Sequence, residues 1–402
     1  MELLISAGQV LTGPAGSRVA NGAVLVRDED IVAVGPAAEV RAHADPETRE
    51  LAYPTGTIMP GLMDCHVHLA FDASLKPVEA LQESDEFSLL LGMTGRAQQL
   101  LDCGVTTTRD LGDRDGLAVH LRDAIAQGSL AGPRILSSTA PLTTKGGHCW
   151  FMGGEVDDED EIRTMVRRNA RNGADLIKVM ATGGGMTKGG PAIWEPQFSA
   201  AELKIVVDEA AEAGLRVAVH AHGVEGIANA VAAGVHTIEH CSWATKDGFD
   251  LRPELAEEIA EKGIFVCIGA SPNWRMLPKA FGEERAAKLF GQARWMAEHG
   301  IRLISGTDAG VPRAVFDRFP SALEFLAHIG LSNAKVIEST TTQAADALGI
   351  AEITGQLTPG RKADVLVVDG DPLADLSALH NAELVVAAGK PHAPSRTILT
   401  KS

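Results

Sequence analysis

Cysteine is scarce in this 402-residue chain: Cys65, Cys103, Cys149, Cys241 and Cys267 are an odd number with no CxxC pair among them. That argues against a disulfide framework and a structural zinc knuckle, and makes a reducing compartment the expectation. Aromatic residues are 4% of the chain, with Tyr53 the single tyrosine, so the core has to be built from Ala, Val, Leu and Ile. Basic residues are outnumbered, 36 Lys+Arg against 53 Asp+Glu, for a net charge of −17. A surplus of that sign repels phosphate backbones and anionic lipid, which leaves small-molecule substrates rather than nucleic acid or membrane as expected partners. The opening run Met1-Glu2-Leu3-Leu4-Ile5-Ser6-Ala7-Gly8 has an acid at position two and too short an apolar stretch for a signal peptide or a span. A soluble, cytoplasmic protein is expected. No solenoid repeat, low-complexity linker or GxxxxGK[ST] phosphate loop is found; Gly183-Gly184-Gly185 instead reads as a place where backbone passes close to a site.

What the chain does have is 45% hydrophobic residues and a repeating theme. Between residues 58 and 310, short runs rich in Val, Ile and Thr alternate with stretches of helical periodicity, the βα pattern of a parallel sheet. The strand candidates are Ile58 to Leu69, Val105 to Leu111, Arg134 to Thr139, Asp175 to Ala181, Arg216 to Ala221, Thr237 to Cys241, Ile264 to Ile268 and Arg302 to Gly306. Eight such units predict an α/β fold of the (β/α)8 TIM-barrel type. Ser199-Ala200-Ala201-Glu202 reads as a capping box opening one of the helices. Leu3 to Ile5, Ala23 to Arg27 and Ile31 to Val34 at the front, with Asp364 to Val368 and Glu383 to Ala387 at the back, predict a small β-sandwich made from both termini. The expected division is residues 1–57 with 353–402 for the sandwich and 58–352 for the barrel.

The chemistry-bearing residues gather at the ends of the predicted barrel strands. His66-Val67-His68 places two imidazoles on one strand face, where they can chelate one ion. Alone the pair is a weak signal, but His220, His240 and Asp308 each stand where an apolar strand gives way to a loop. Barrel active sites are assembled from that C-terminal face, and the joint pattern favours a metal centre over packing. Lys178 lies inside the apolar run Leu176-Ile177-Lys178-Val179-Met180, where an unpaired ammonium costs several kcal/mol to bury. Either a carboxylate pairs with it, or reaction with carbon dioxide turns it into a carbamate able to bridge two ions.

Met59-Pro60-Gly61-Leu62-Met63-Asp64-Cys65-His66-Val67-His68, followed in order by Lys178, His220, His240 and Asp308, resembles the amidohydrolase superfamily over nearly the whole chain. Val105-Thr106-Thr107-Thr108-Arg109-Asp110-Leu111-Gly112 is similar to the second strand of that group, and Gly360-Arg361-Lys362-Ala363-Asp364 to the turn entering its returning β segment. Gly146-Gly147-His148 and His220-Ala221-His222 resemble the imidazolonepropionase-related branch, which includes prolidases and other dipeptidases.

The resemblance implies that His66, His68 and Asp308 hold a buried ion and His220 and His240 a more exposed one, with carboxylated Lys178 bridging them. Zinc suits these donors, with manganese, iron or cobalt as substitutes. The implied reaction is hydrolysis of an amide C–N bond, in a dipeptide or an N-acyl amino acid, by a metal-bridging hydroxide, with Asp308 as general base and acid. The resemblance also brings His148 and His222 to the substrate, and a homo-oligomer. Two alternatives stay open: a mononuclear cyclic-amide (imidazolone-type) hydrolase or deaminase, and a non-catalytic interaction protein. Gly223 follows His222 where deaminases usually carry a His-x-x-Glu pair, which lowers the deaminase. Lys145, Lys188, Arg275 and Arg313 are candidate grips for a substrate carboxylate, and spacing singles out none of them. Cys65 is expected in the core, and Asp157 to Glu161 as the acidic start of a helix.

Overall fold

The computed structural model describes residues 2–13 and 17–395. The chain opens with β1 (Glu2–Leu11), β2 (Arg18–Arg27), β3 (Asp30–Pro36) and β4 (Arg49–Pro60). It continues with β5 (Leu62–Val67), β6 (Val105–Asp110), β7 (Arg134–Ser137), β8 (Thr143–Thr144), β9 (Glu155–Val156), β10 (Leu176–Met180), β11 (Arg216–Gly223) and β12 (Thr237–Thr245). Then come β13 (Gly248–Phe249), β14 (Phe265–Cys267), β15 (Arg302–Ile304), β16 (Val365–Asp369), β17 (Ala382–Ala387) and β18 (Lys390–His392). The eight strands expected between residues 58 and 310 are β5, β6, β7, β10, β11, β12, β14 and β15, with helices between them, so the fold is mixed α/β.

Those eight lie in two parallel segments, β5-β6-β7 and β10-β11-β12-β14-β15. Every residue of β5, β6, β10 and β14 is buried, as a parallel sheet covered on both faces requires. Single contacts join the segments: Leu142 bridges Val179 and Asp175 N–H donates to Ser137 at 2.8 Å on one side. On the other, Val67 bridges Ala309 and Cys65 N–H donates to Ser305 at 2.9 Å. The ends of β5, β11, β12 and β15 therefore face a common space. The helix Ala200–Glu212 opens on the predicted capping box, with Ser199 and Glu202 each bonded to the other's backbone N–H.

The terminal strands form one seven-stranded sheet in the order β18-β17-β16-β4-β1-β2-β3. Leu3, Ile5, Val24, Ile58, Val365 and Val386 form a core of the sheet's own, while Met59, Leu366, Val368 and Val385 of the same sheet pack into the core of the parallel strands. Here the structure departs from the expected strand Ile58 to Leu69. Residues 58–60 belong to β4, which pairs with β1 and β16, and the break falls at Gly61. A Cβ at Gly61 would lie 2.1 Å from Thr106 Oγ1, so only glycine lets the chain turn from one sheet into the other so close to β6. Among the described residues no helix is long and apolar enough to cross a membrane.

Candidate active site

The HxH strand is knitted to the segment carrying Asp308 by backbone and by Asp64. Asp308 N–H donates to the His66 carbonyl at 2.8 Å, and His68 N–H to the Ala309 carbonyl at 2.8 Å. The buried Asp64 carboxylate accepts from Thr307 N–H at 3.0 Å and from Thr307 Oγ1 at 2.6 Å. His240 and Asp308 both take left-handed backbone, with φ of 68° and 57°. Residues without glycine's freedom hold that conformation only where the surroundings impose it, a pattern that concentrates at functional sites.

Two donor groups result. His66, His68 and Asp308 offer ligand atoms within 4.8 Å of one another, and so do His220, His222 and His240. Asp308 Oδ1 lies 3.4 Å from His66 Nε2 and 3.5 Å from His68 Nε2. The groups adjoin through His240, whose ring centroid is 5.0 Å from His66 and 4.8 Å from His220. His222 stacks on His240 at 4.5 Å, and His148 lies against His220 at 4.6 Å.

Outward ring nitrogens are held by neighbours, which orients the others inward. His68 Nδ1 is 3.3 Å from the Gly112 carbonyl and His220 Nε2 is 3.1 Å from the Gly183 carbonyl. His222 Nδ1 meets Ser242 Oγ at 2.8 Å, and His148 Nδ1 meets Thr187 Oγ1 at 3.2 Å. Gln197 fastens the His148 loop to the Lys178 strand, accepting from His148 N–H at 2.8 Å and donating to the Met180 carbonyl at 2.5 Å.

Burial first, and neighbouring positive groups second, push the pKa of His68, His220 and His240 well below the usual imidazole value. The same causes take His148 down to about 3 and His222 to about 4. All five are neutral at pH 7, the state that binds metal. Lys178 is fully buried, and its Nζ has no hydrogen-bond partner among the described residues. Burial pushes its pKa down to about 8, against the opposing pull of Glu239. Neutral imidazoles, one carboxylate edge and an orphaned buried amine fit divalent ions and a carbamate bridge.

Sequence reasoning passed over Glu239. Burial alone would raise its carboxyl, but the Arg109 guanidinium at 2.8 Å, with His66 and Lys178, holds it well below the usual carboxylate range. The same test applied to Lys178, a charge inside an apolar strand, would have found it. A third donor group, His66, Glu239 and Cys267, lies beneath. Burial pushes the Cys267 thiol well up, so it stays protonated and is a poor ligand. Cys65 packs with Met63, Phe265 and Ile304.

A Cβ at Gly184 would fall 2.4 Å from the His148 ring. Gly184→Ala is therefore expected to displace His148 and lower kcat/KM by about ten- to a hundredfold with metal content unchanged. Steady-state kinetics beside metal analysis checks this, and an unaltered kcat/KM would take His148 out of the reaction.

A cluster of neutral imidazoles and a carboxylate at the ends of parallel strands defines a class of hydrolase, and the sequence relatives place the chain within it. The amidohydrolase family matches residues 57–391, and the chain belongs to that family, whose members generally use a divalent metal and act on C–N bonds. It is 28% identical over 422 aligned residues to an ochratoxinase from Aspergillus niger, covering 96% of this chain and 85% of the relative. It is 24% identical to an imidazolonepropionase from Symbiobacterium thermophilum, covering 91% of this chain and 90% of that one. The crystal structure of a Xaa-Pro dipeptidase with methionine in its active site superposes with a TM-score of 0.86 at 28% identity, covering 98% of this chain and all of that one.

Proposed function

We propose that the protein is a binuclear metal-dependent amidohydrolase that cleaves the amide C–N bond of a small substrate such as a dipeptide or an N-acyl amino acid. The observation that carries this reading is the fully buried Lys178 amine, without a hydrogen-bond partner among the described residues and within electrostatic reach of both donor groups. His66, His68 and Asp308 would hold one ion and His220 and His240 the other, with carboxylated Lys178 between them. Zinc suits the donors best, and manganese, iron or cobalt can substitute. Bound ions supply a hydroxide at neutral pH and polarise the scissile carbonyl. Asp308, about 20% exposed where the histidine pair is closed off, takes the proton of the attacking water and passes it to the leaving amine. His148, neutral and tethered by Thr187, presents its imidazole to the carbonyl oxygen, and His222 lies at the same mouth. We also propose that the two parallel segments close into one (β/α)8 ring over residues 58–352, and that 1–57 with 353–402 make a sandwich.

The amine side of the substrate carries a carboxylate in this reading. Of the four cations weighed for that grip, Lys145 is tied to Asp157 at 2.5 Å, Lys188 to Glu79 at 3.0 Å and Arg275 to Glu324 at 2.8 Å. Arg313 has no side-chain partner among the described residues, and it sits five positions after Asp308. Its backbone has φ of 67° and is clamped on both sides, by the Ala73 carbonyl at 2.9 Å and the Asn273 amide at 2.6 Å. Arg313→Met is expected to raise KM for free-carboxylate substrates by about tenfold or more, the worth of one charge-assisted hydrogen bond. Methyl-ester analogues should be turned over as before.

The test of the function is a screen of N-acyl amino acids and of Xaa-Pro, Xaa-Arg and Xaa-Lys dipeptides with zinc-loaded protein. The imidazolonepropionase likeness favours ring opening by a single ion as the second reading. A metal count near one with turnover of a cyclic amide selects it.

A further inference from the structure

We infer that Arg109 and Glu239 form a positioning pair for His66 that sets how tightly the His66, His68 and Asp308 group takes its ion. The inference rests on the reading of that group as a metal centre. Glu239 precedes His240 in β12 and is fully buried. Its Oε1 accepts from Arg109 Nη2 at 2.8 Å and from Thr237 Oγ1 at 2.6 Å. Its Oε2 faces His66 Nδ1 at 3.1 Å, and neither atom has an aligned hydrogen bond elsewhere among the described residues. Arg109 projects from β6 and completes the bracket. Its Nε donates at 2.6 Å to the carbonyl of Cys65, the residue before His66, and its Nη1 donates at 2.9 Å to Thr237 Oγ1. One guanidinium thus spans from the strand carrying His66 to the strand carrying His240.

The consequence for His66 is directional. With a carboxylate against Nδ1, the ring keeps its proton on that side and turns Nε2 toward Asp308 and His68. A carboxylate behind a metal-ligating histidine fixes the tautomer and makes the other nitrogen more basic, and removing such a partner typically weakens metal binding about ten- to a hundredfold. Arg109 is what lets the carboxylate be there, since an unpaired charge at this depth would be strongly unfavourable. A buried ion pair contributes little to stability relative to well-packed apolar residues of similar size. A pair kept only for packing is therefore replaceable, and one kept for position is not.

That contrast gives the experiment. Wild type, Glu239→Gln and the double variant R109M/E239M are loaded with zinc, and metal per chain, release to a competing chelator and the melting temperature of the metal-free form are measured. The expected result is two zinc ions in wild type and about ten- to a hundredfold weaker retention of one of the two in Glu239→Gln. R109M/E239M should melt near wild type yet keep the weakened site. Zinc retention at the wild-type level in Glu239→Gln, or its recovery in R109M/E239M, overturns the positioning role and leaves the metal-centre reading standing. Wild-type protein that takes up no zinc overturns both.

Discussion

Lys178→Ala is expected to abolish turnover, and short carboxylic acids are expected to restore part of it by occupying the space of the missing carbamate. The lysine is suited to that chemistry because burial holds its pKa at about 8, so about a tenth is free amine at pH 7, far more than for an exposed lysine. The nitrogen lone pair forms the bond to carbon dioxide, and the displaced proton leaves to water. Retention of full activity and metal content in Lys178→Ala would remove the bridging role. Lys178→Met separates function from folding, because it fills the same space without an amine to desolvate. In metal-free protein the folded lysine titrates near 8 and the unfolded one near 10.5, so between those values the unfolded chain binds more protons. The lysine therefore costs the fold most below pH 8, about 3 kcal/mol, and the cost fades as pH rises toward 10.5. Metal-free Lys178→Met should melt above metal-free wild type at pH 7, with the gap closing by pH 10.5, while remaining inactive when loaded.

Asp308→Asn carries the second large effect. Asparagine keeps the size of the side chain and tolerates the left-handed backbone at this position, so the turn after β15 should survive. The proton carrier is what is lost, and positioned acid–base groups of this kind contribute about 10²- to 10⁴-fold to rate. The expected outcome is a kcat lower by that factor with metal content and melting temperature close to wild type. A variant within tenfold of wild-type kcat would assign the proton transfers elsewhere.

Much of this arrangement could be read from the sequence because strand ends are marked twice, once by the apolar run and once by a polar residue that stops it. His220, His240 and Asp308 stand out for that reason, and in the structure they lie in two adjoining groups with His222, His66 and His68. Glu239 escaped because it sits one position before a more conspicuous residue and inside the strand, and its partner Arg109 is 130 residues away. No local spacing reveals a pair made across the molecule. The front of β4 was missed for a different reason. Tyr53-Pro54-Thr55-Gly56 contains two strand breakers, yet β1 pairs with the chain as far as Tyr53 and β16 takes it up again at Gly56, which carries the strand across the irregularity. Tertiary pairing overrides local propensity there. His222 was separated from the other donors because a strand's alternation gives its face and not its neighbours; only the stacked His240 shows how near it stands.

The strand bearing His66 and His68 continues directly from β4, and β4 lies between β1 and β16, one from each end of the chain. A polypeptide still being synthesised has β1 early but gains β16 only once residues 365–369 have emerged. Until then β4 has one bare edge, and the histidine strand hangs from a half-built sheet. The sheet from which that strand continues is therefore completed only after every donor of the site, Asp308 included, has been made. A stop codon or a fusion junction ahead of β16 would leave the strand that carries His66 continuing from an incomplete sheet, an effect exerted from the far end of the gene.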